Sequence, residues 1–163
     1  MNSRSSSLLW VSVAGGLAQI AAGVAMYVAG VYFAPWSMAV SVAVLFVAIV
    51  LGMRRIGTGQ GGGPFSYRDA LLAGVAISVA TGVLYALYNV VTINVVYPHF
   101  LDDAARSRMA MRAARHMPTL SFEQERATLT AGGVALGNLL RLSVIGSVFS
   151  ALAALVMRRK RSE

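Results

Sequence analysis

The stretch SYRDALLAGVAISVATGVLYALYNVVTINVVYP, residues 66–98, decides the fold. Its first four residues, Ser66 to Asp69, read as a helix-capping box with Ser66 at the cap. Behind them runs an apolar segment without a charged residue until Pro98 stops it. The pattern predicts one helix over about 67–97. At 1.5 Å per residue the helix is roughly 44 Å long. That exceeds the hydrocarbon thickness of about 30 Å, so the helix crosses a bilayer with tilt or overhang. Gly74, Ser78, Thr81, Tyr85, Tyr88, Asn89 and Thr92 recur along it at three- and four-residue steps. At 100° per residue they form one polar stripe about 100° wide. Lipid penalises such a face, so it points into a bundle. There it acts either as glue between helices or as the lining of a wet cavity.

Working outward, the rest of the chain repeats the apolar theme. Spans are expected at about 8–33, 36–53 and 131–157, with a glycine-rich loop at 54–66 and a polar segment at 98–130. The fold class is an all-α membrane protein: four transmembrane helices in a bundle, one domain over 1–163, with a short extracytoplasmic helical segment between spans three and four. Of the 163 residues, 57% are hydrophobic and 12% charged, and mean hydropathy is +0.67. A soluble domain carries about twice that charge fraction, so a soluble enzyme domain and a disordered chain are both excluded. The first apolar stretch outruns the roughly 7–15 residues of a signal-peptide core and is expected to be retained. Ala34-Pro35 between spans one and two is so short a break that it forces an antiparallel hairpin. Tyr32, Phe33 and Trp36 crowd this turn as an aromatic belt.

The net charge is +8, but the basic clusters sit where apolar blocks end, at Arg54, Arg55 and Arg68 and in the run 158–161. They read as anchors at a membrane surface, not as a nucleic-acid face. Eight Lys and Arg fall on the side of the N-terminus, the glycine loop and the tail, against five in 98–130. The positive-inside rule places both termini in the cytoplasm. The glycine run of the loop lacks the preceding strand and the Gly-Lys-Ser/Thr of a phosphate-cradling loop.

Leu51-Gly-Met-Arg-Arg, then Gly63-Pro-Phe-Ser-Tyr-Arg-Asp-Ala and Tyr97-Pro-His-Phe-Leu-Asp102, followed by an apolar helix closing on Arg158-Arg-Lys-Arg, together resemble the bacterial family called domain of unknown function 4199. The resemblance covers nearly the whole chain. It implies four spans and similar length, and brings no activity, cofactor or catalytic residue with it.

Chemistry has few places to sit. Beyond the capping residue Asp69, no Asp or Glu lies within the spans, so a proton-driven exporter lacks its usual intramembrane carboxylate. There is no cysteine and no His-Glu-x-x-His, and the spans offer no His or Lys as a base, so no enzyme is expected and no cofactor is implied. Arg141 is the exception to apolarity. Inserting it costs about 2.5–3.5 kcal/mol, which the twelve Leu, Ile, Val and Phe residues of span four offset at about 0.3–0.6 kcal/mol each. Asn138 lies one turn earlier on the same face. The pair either binds an anion or polar headgroup, or hydrogen-bonds to groups of another span.

Small-residue lines mark close packing faces: Ala14, Ala18, Ala22 and Met26 beside Gly15, Gln19 and Gly23, and in span four Ser143, Ser147, Ser150 and Ala154. They serve the bundle itself or a homo-oligomer. In 98–130, a helix is expected over 101–116, and Ser121 with Gln124 forms a second capping box whose helix runs directly into span four. Arg108, Arg112 and Arg115 make a basic stripe that lies on lipid headgroups or faces solvent. His99, Asp102, Asp103 and His116 have metal-ligand identities without ligand spacing. The expected function is an interaction or accessory component in the membrane, with the bilayer and another membrane protein as partners. The alternative is a small channel or transporter for an anion or small polar solute, through a cavity between spans three and four.

Overall fold

The computed structural model describes residues 3–58 and 66–157. Within them the chain is an all-α membrane bundle. Its elements are α1 (Ser3–Val28), α2 (Ser37–Thr58), α3 (Tyr67–Val91) with a π-helical extension (Thr92–Val96), α4 (Phe100–Ala114), α5 (Phe122–Ala127) and α6 (Ala131–Met157). Four helices are long and apolar enough to cross a membrane: α1, α2, α3 with its extension, and α6. The glycine run 59–63 and the basic tail 158–161 lie outside the described residues.

The bundle is apolar on its outside. Leu17, Val47, Leu72, Leu87, Val144 and Leu152 are all exposed, which suits lipid and would not suit water. Its inside combines an apolar centre with small and polar residues at the helix contacts. α3 is the most buried of the four spans and packs most extensively on α6. Glycines set that distance. A Cβ on Gly146 would overlap Ser78, and one on Gly74 would lie 2.7 Å from the Ser150 Cβ. α1 meets the bundle through Gly15, Gly16 and Gly23, where Cβ atoms would contact Thr81, Leu84 and Tyr85. Leu45, Ile49 and Met53 of α2 fill the centre with Ile77 of α3 and Leu142 of α6.

Four boundaries differ from the sequence expectation, each for a local reason. Span one stops at Val28, not Phe33, because Gly30 adopts φ 69°. The N–H groups of Gly30 and Val31 then close onto the Tyr27 and Met26 carbonyls, both at 2.9 Å, a Schellman stop. Span two extends past 53 to Thr58, so Arg54, Arg55 and Gly57 are helical. α4 ends at Ala114, two residues early, in the same type of stop with His116 at φ 53°. α5 does not run into span four. It ends at Ala127, and α6 starts afresh with the Thr130 hydroxyl accepting from the Gly133 N–H at 3.0 Å. One of the two expected capping boxes is complete: Ser121 and Gln124 cap each other reciprocally. At Ser66 only the cap forms, its hydroxyl accepting from the Asp69 N–H at 3.1 Å and donating to the Asp69 carboxylate at 2.8 Å.

α4 and α5 form a small cap over the end of the bundle that carries the α1–α2 turn. A second apolar core seats it: Ile93, Phe100, Leu101, Ala105 and Leu129, with Tyr32 and Phe33 of the turn packed against them.

A polar cavity beneath the cap

The polar stripe of α3 divides in two. Ser78 and Thr81 are fully buried. The Ser78 hydroxyl donates to the Val75 carbonyl, and its side chain fills the space above Gly146. The Thr81 hydroxyl reaches the Ser12 carbonyl of α1 at 3.5 Å. This half of the stripe is helix-to-helix contact. The other half lies nearer the cap. Tyr85 is buried, and its phenol is 3.2 Å from that of Tyr32. Tyr88 stacks on Tyr85. Asn89 is buried and donates to the Tyr85 carbonyl at 2.7 Å, and the buried Thr92 hydroxyl has no hydrogen-bond partner.

Arg141 and Asn138 come together as their spacing implied. The Arg141 Nη2 donates to Asn138 Oδ1 at 3.0 Å, while its Nε is buried without a partner. Among the described residues Arg141 forms no ion pair. Both side chains line a cavity of about 210 Å³. Of the expected stripe only Tyr85 joins them there. The cavity touches spans three and four through Tyr85, Asn138 and Arg141, but α1, α2 and the α1–α2 turn line it as well, through Met26, Ser37, Tyr32 and Phe33. It is roofed by α4. Ser37, Met38 and Ser41 come from α2, Val134 from α6, and Ala104, Ser107, Arg108 and Met111 from α4. Arg141 stands ten residues into α6, roughly 15 Å along the axis, in the half of the span nearer the cap.

Sequence reasoning missed Ser37, Ser41, Ser107 and Tyr32. Ser37 and Ser41 are one turn apart in an apolar span, a signal that was legible. Ser41 also forms a buried pair with Gln19 of α1. The Gln19 amide donates to the Ser41 carbonyl at 2.7 Å and accepts from its hydroxyl at 3.0 Å.

The basic stripe of α4 does not lie free. Arg108 Nη1 and Arg112 Nε both stand 3.7 Å from the Glu125 carboxylate, which is 1% exposed and has one oxygen without a hydrogen bond. Only Arg115 of the three takes no part in this contact. Further links hold α4 to α5. Arg126 Nε donates to Asp102 at 2.6 Å, and Arg106 lies over the Phe122 ring at 5.5 Å. The Arg126 guanidinium beside Asp102 holds its carboxyl below the usual range. The Tyr97 phenol donates to Asp103, and that bond pushes its pKa up to about 12.

Among the described residues, the four with metal-ligand identities form no group of three that could hold a metal ion. Asp102 serves Arg126, Asp103 serves Tyr97 and Arg106, and His116 is the α4 stop. His99 lies 3.8 Å from Asp102. A larger groove of about 630 Å³ runs between α1 and α2, lined by Ala14, Ala18, Ala43, Val47 and Leu51 with Trp10 and Arg55. It presents mainly apolar, lipid-facing surface, and the polar groups converge elsewhere.

The model of the family described as "Protein of unknown function (DUF4199)" matches residues 11–159. The chain belongs to this family. The match runs from α1 through the whole of α6 and takes in the cap, so the cavity lies wholly inside the family's shared region. No curated protein and no solved structure matches the chain.

Proposed function

We propose that this family member is a non-conducting accessory component of a bacterial inner membrane, which binds a ligand at one face and presents its cap to a partner. The observation that carries this reading is the blind end of the polar cavity. Below Tyr85 the stripe is sealed by Ser78 against Gly146 and by Thr81 against α1. The charge count of eight Lys and Arg against five supports cytoplasmic termini and an extracytoplasmic cap. Residues 113–121 at the tip of the cap are all exposed, and they offer Arg115, His116, Met117 and Leu120 to a second protein. Catalysis finds no support in the cavity lining, which has hydroxyls and guanidinia but no His, Asp, Glu or Lys to act as base.

Flux through proteoliposomes tests the reading. Protein reconstituted in phosphatidylcholine vesicles is expected to pass chloride and phosphate no faster than empty vesicles. Flux that disappears in Arg141→Leu, with the variant still folded, would make the protein an anion channel or transporter instead.

A further inference from the structure

We infer that the cavity beneath α4 is a binding site for a phosphate-class oxyanion, either free phosphate or the phosphate of a lipid headgroup. The inference rests on the reading of the cavity as a blind pocket. Two guanidinia, Arg108 from the roof and Arg141 from α6, line it, and no carboxylate does. Arg141 has no ion pair among the described residues, and its Nε is buried without an acceptor. A half-buried cation without a counter-charge is costly, and an anion in the cavity reduces that cost. Arg108 is not neutralised either. It shares the single Glu125 carboxylate with Arg112, both at 3.7 Å, so one acid is divided between two guanidinia.

The geometry also selects the anion. Donors converge from three elements: Ser37 of α2, Ser107 and Arg108 of α4, and Arg141 of α6. A planar carboxylate accepts within one plane, whereas a tetrahedral phosphate accepts from several directions, and guanidinium forks suit its oxygens. The volume of about 210 Å³ is that of roughly seven waters at about 30 Å³ each, enough for a phosphate with an ester stub or a few waters. Met38 and Met111 are exposed at the rim, an apolar lip compatible with a lipid tail leaving the site.

The chain has no cysteine, so a single thiol reports on the cavity. Ala104 lines it and offers no donor. The A104C variant is placed in nanodiscs of digalactosyldiacylglycerol, whose headgroup has no phosphate, and treated with a water-soluble thiol reagent, with inorganic phosphate titrated at constant ionic strength. A second set of nanodiscs carries phosphatidic acid and no free phosphate. The thiol is expected to react and to be protected in at least one set. Protection by phosphate in the digalactosyldiacylglycerol discs identifies a free ion, and protection only by phosphatidic acid identifies a headgroup. Adding R141L is expected to raise the half-protecting concentration about tenfold or more, and R141K less, because the planar fork is lost but the charge is kept. Leucine suits the span better than arginine, so R141L retains the bundle, and its helicity is checked alongside. A reactive thiol that neither phosphate nor phosphatidic acid protects overturns the oxyanion assignment and leaves the blind pocket standing. Equal protection in R141L overturns it too. A thiol inert in every disc overturns the pocket and, with it, the reading on which the site rests.

Discussion

Arg141 is held inside an apolar helix by one hydrogen bond, to Asn138. This makes the pair asymmetric. Removing Asn138 alone leaves a guanidinium with still fewer acceptors, whereas removing both leaves an apolar helix. N138L is therefore expected to lower stability by about 1.5–3 kcal/mol, the range for hydrogen bonds to charged groups, and N138L/R141L to recover that loss. Thermal unfolding in detergent measures both, and a double variant less stable than N138L would contradict the pairing. His116 shows a different residue-scale tension. It sits at φ 53° to stop α4, a conformation that costs an L-residue about 1–2 kcal/mol and glycine almost nothing. H116G is expected to stabilise the cap by about 1 kcal/mol, seen as slower amide exchange in α4. Asp102 supplies the pH dependence. Its carboxyl is held below its usual value by Arg126, so the ionised form stabilises the fold. That contribution is full above the unfolded value near 4 and is lost as pH falls through the lower folded value. Protease cleavage within 113–121 should accelerate as the buffer is taken below about pH 4. A rate that ignores pH there would remove the Asp102–Arg126 link from the account.

Helix contacts turn on a few glycines, and these give opposite outcomes for one type of change. G146A drives a methyl into Ser78 across the α3–α6 contact and should cost about 1–3 kcal/mol, as overpacking does. G137A meets nothing within 4 Å and should be neutral or stabilising by up to about 1 kcal/mol, the helix propensity difference. Comparing their unfolding midpoints tests the contact, and equal effects would mean that α3 and α6 are not packed there. The four spans, the hairpin and both serine caps were legible because apolar runs and Ser-x-x-Asp or Ser-x-x-Gln spacings are local signals. The early stop at Gly30 was also local, but Pro35 drew the boundary instead. The restart at Thr130 was hidden because a threonine followed by alanine and two glycines interrupts an otherwise helical pattern only weakly. What sequence could not give is pairing between distant elements. Nothing in the spacing of Arg108 and Arg112 shows that they meet Glu125, and the Arg141 face alone does not show that α4 roofs it. Those facts depend on the second core around Phe100 and Leu129, which is assembled from five separate segments.

At the scale of the molecule, the bundle sorts its polar groups by depth. Away from the cap they are consumed in helix contacts: Ser78, Thr81 and Ser150 are all buried. Beneath the cap, guanidinia and hydroxyls are gathered around open space. This division is what would separate a binding protein from a conduit. Cysteine accessibility across the membrane tests it most directly, since the chain brings no thiol of its own. A104C is expected to react with a membrane-impermeant reagent added on the cap side, while S78C and T81C stay inert to reagent added on either side. Reaction of S78C or T81C at a rate close to that of A104C, in folded protein, would show a continuous aqueous path and contradict the account.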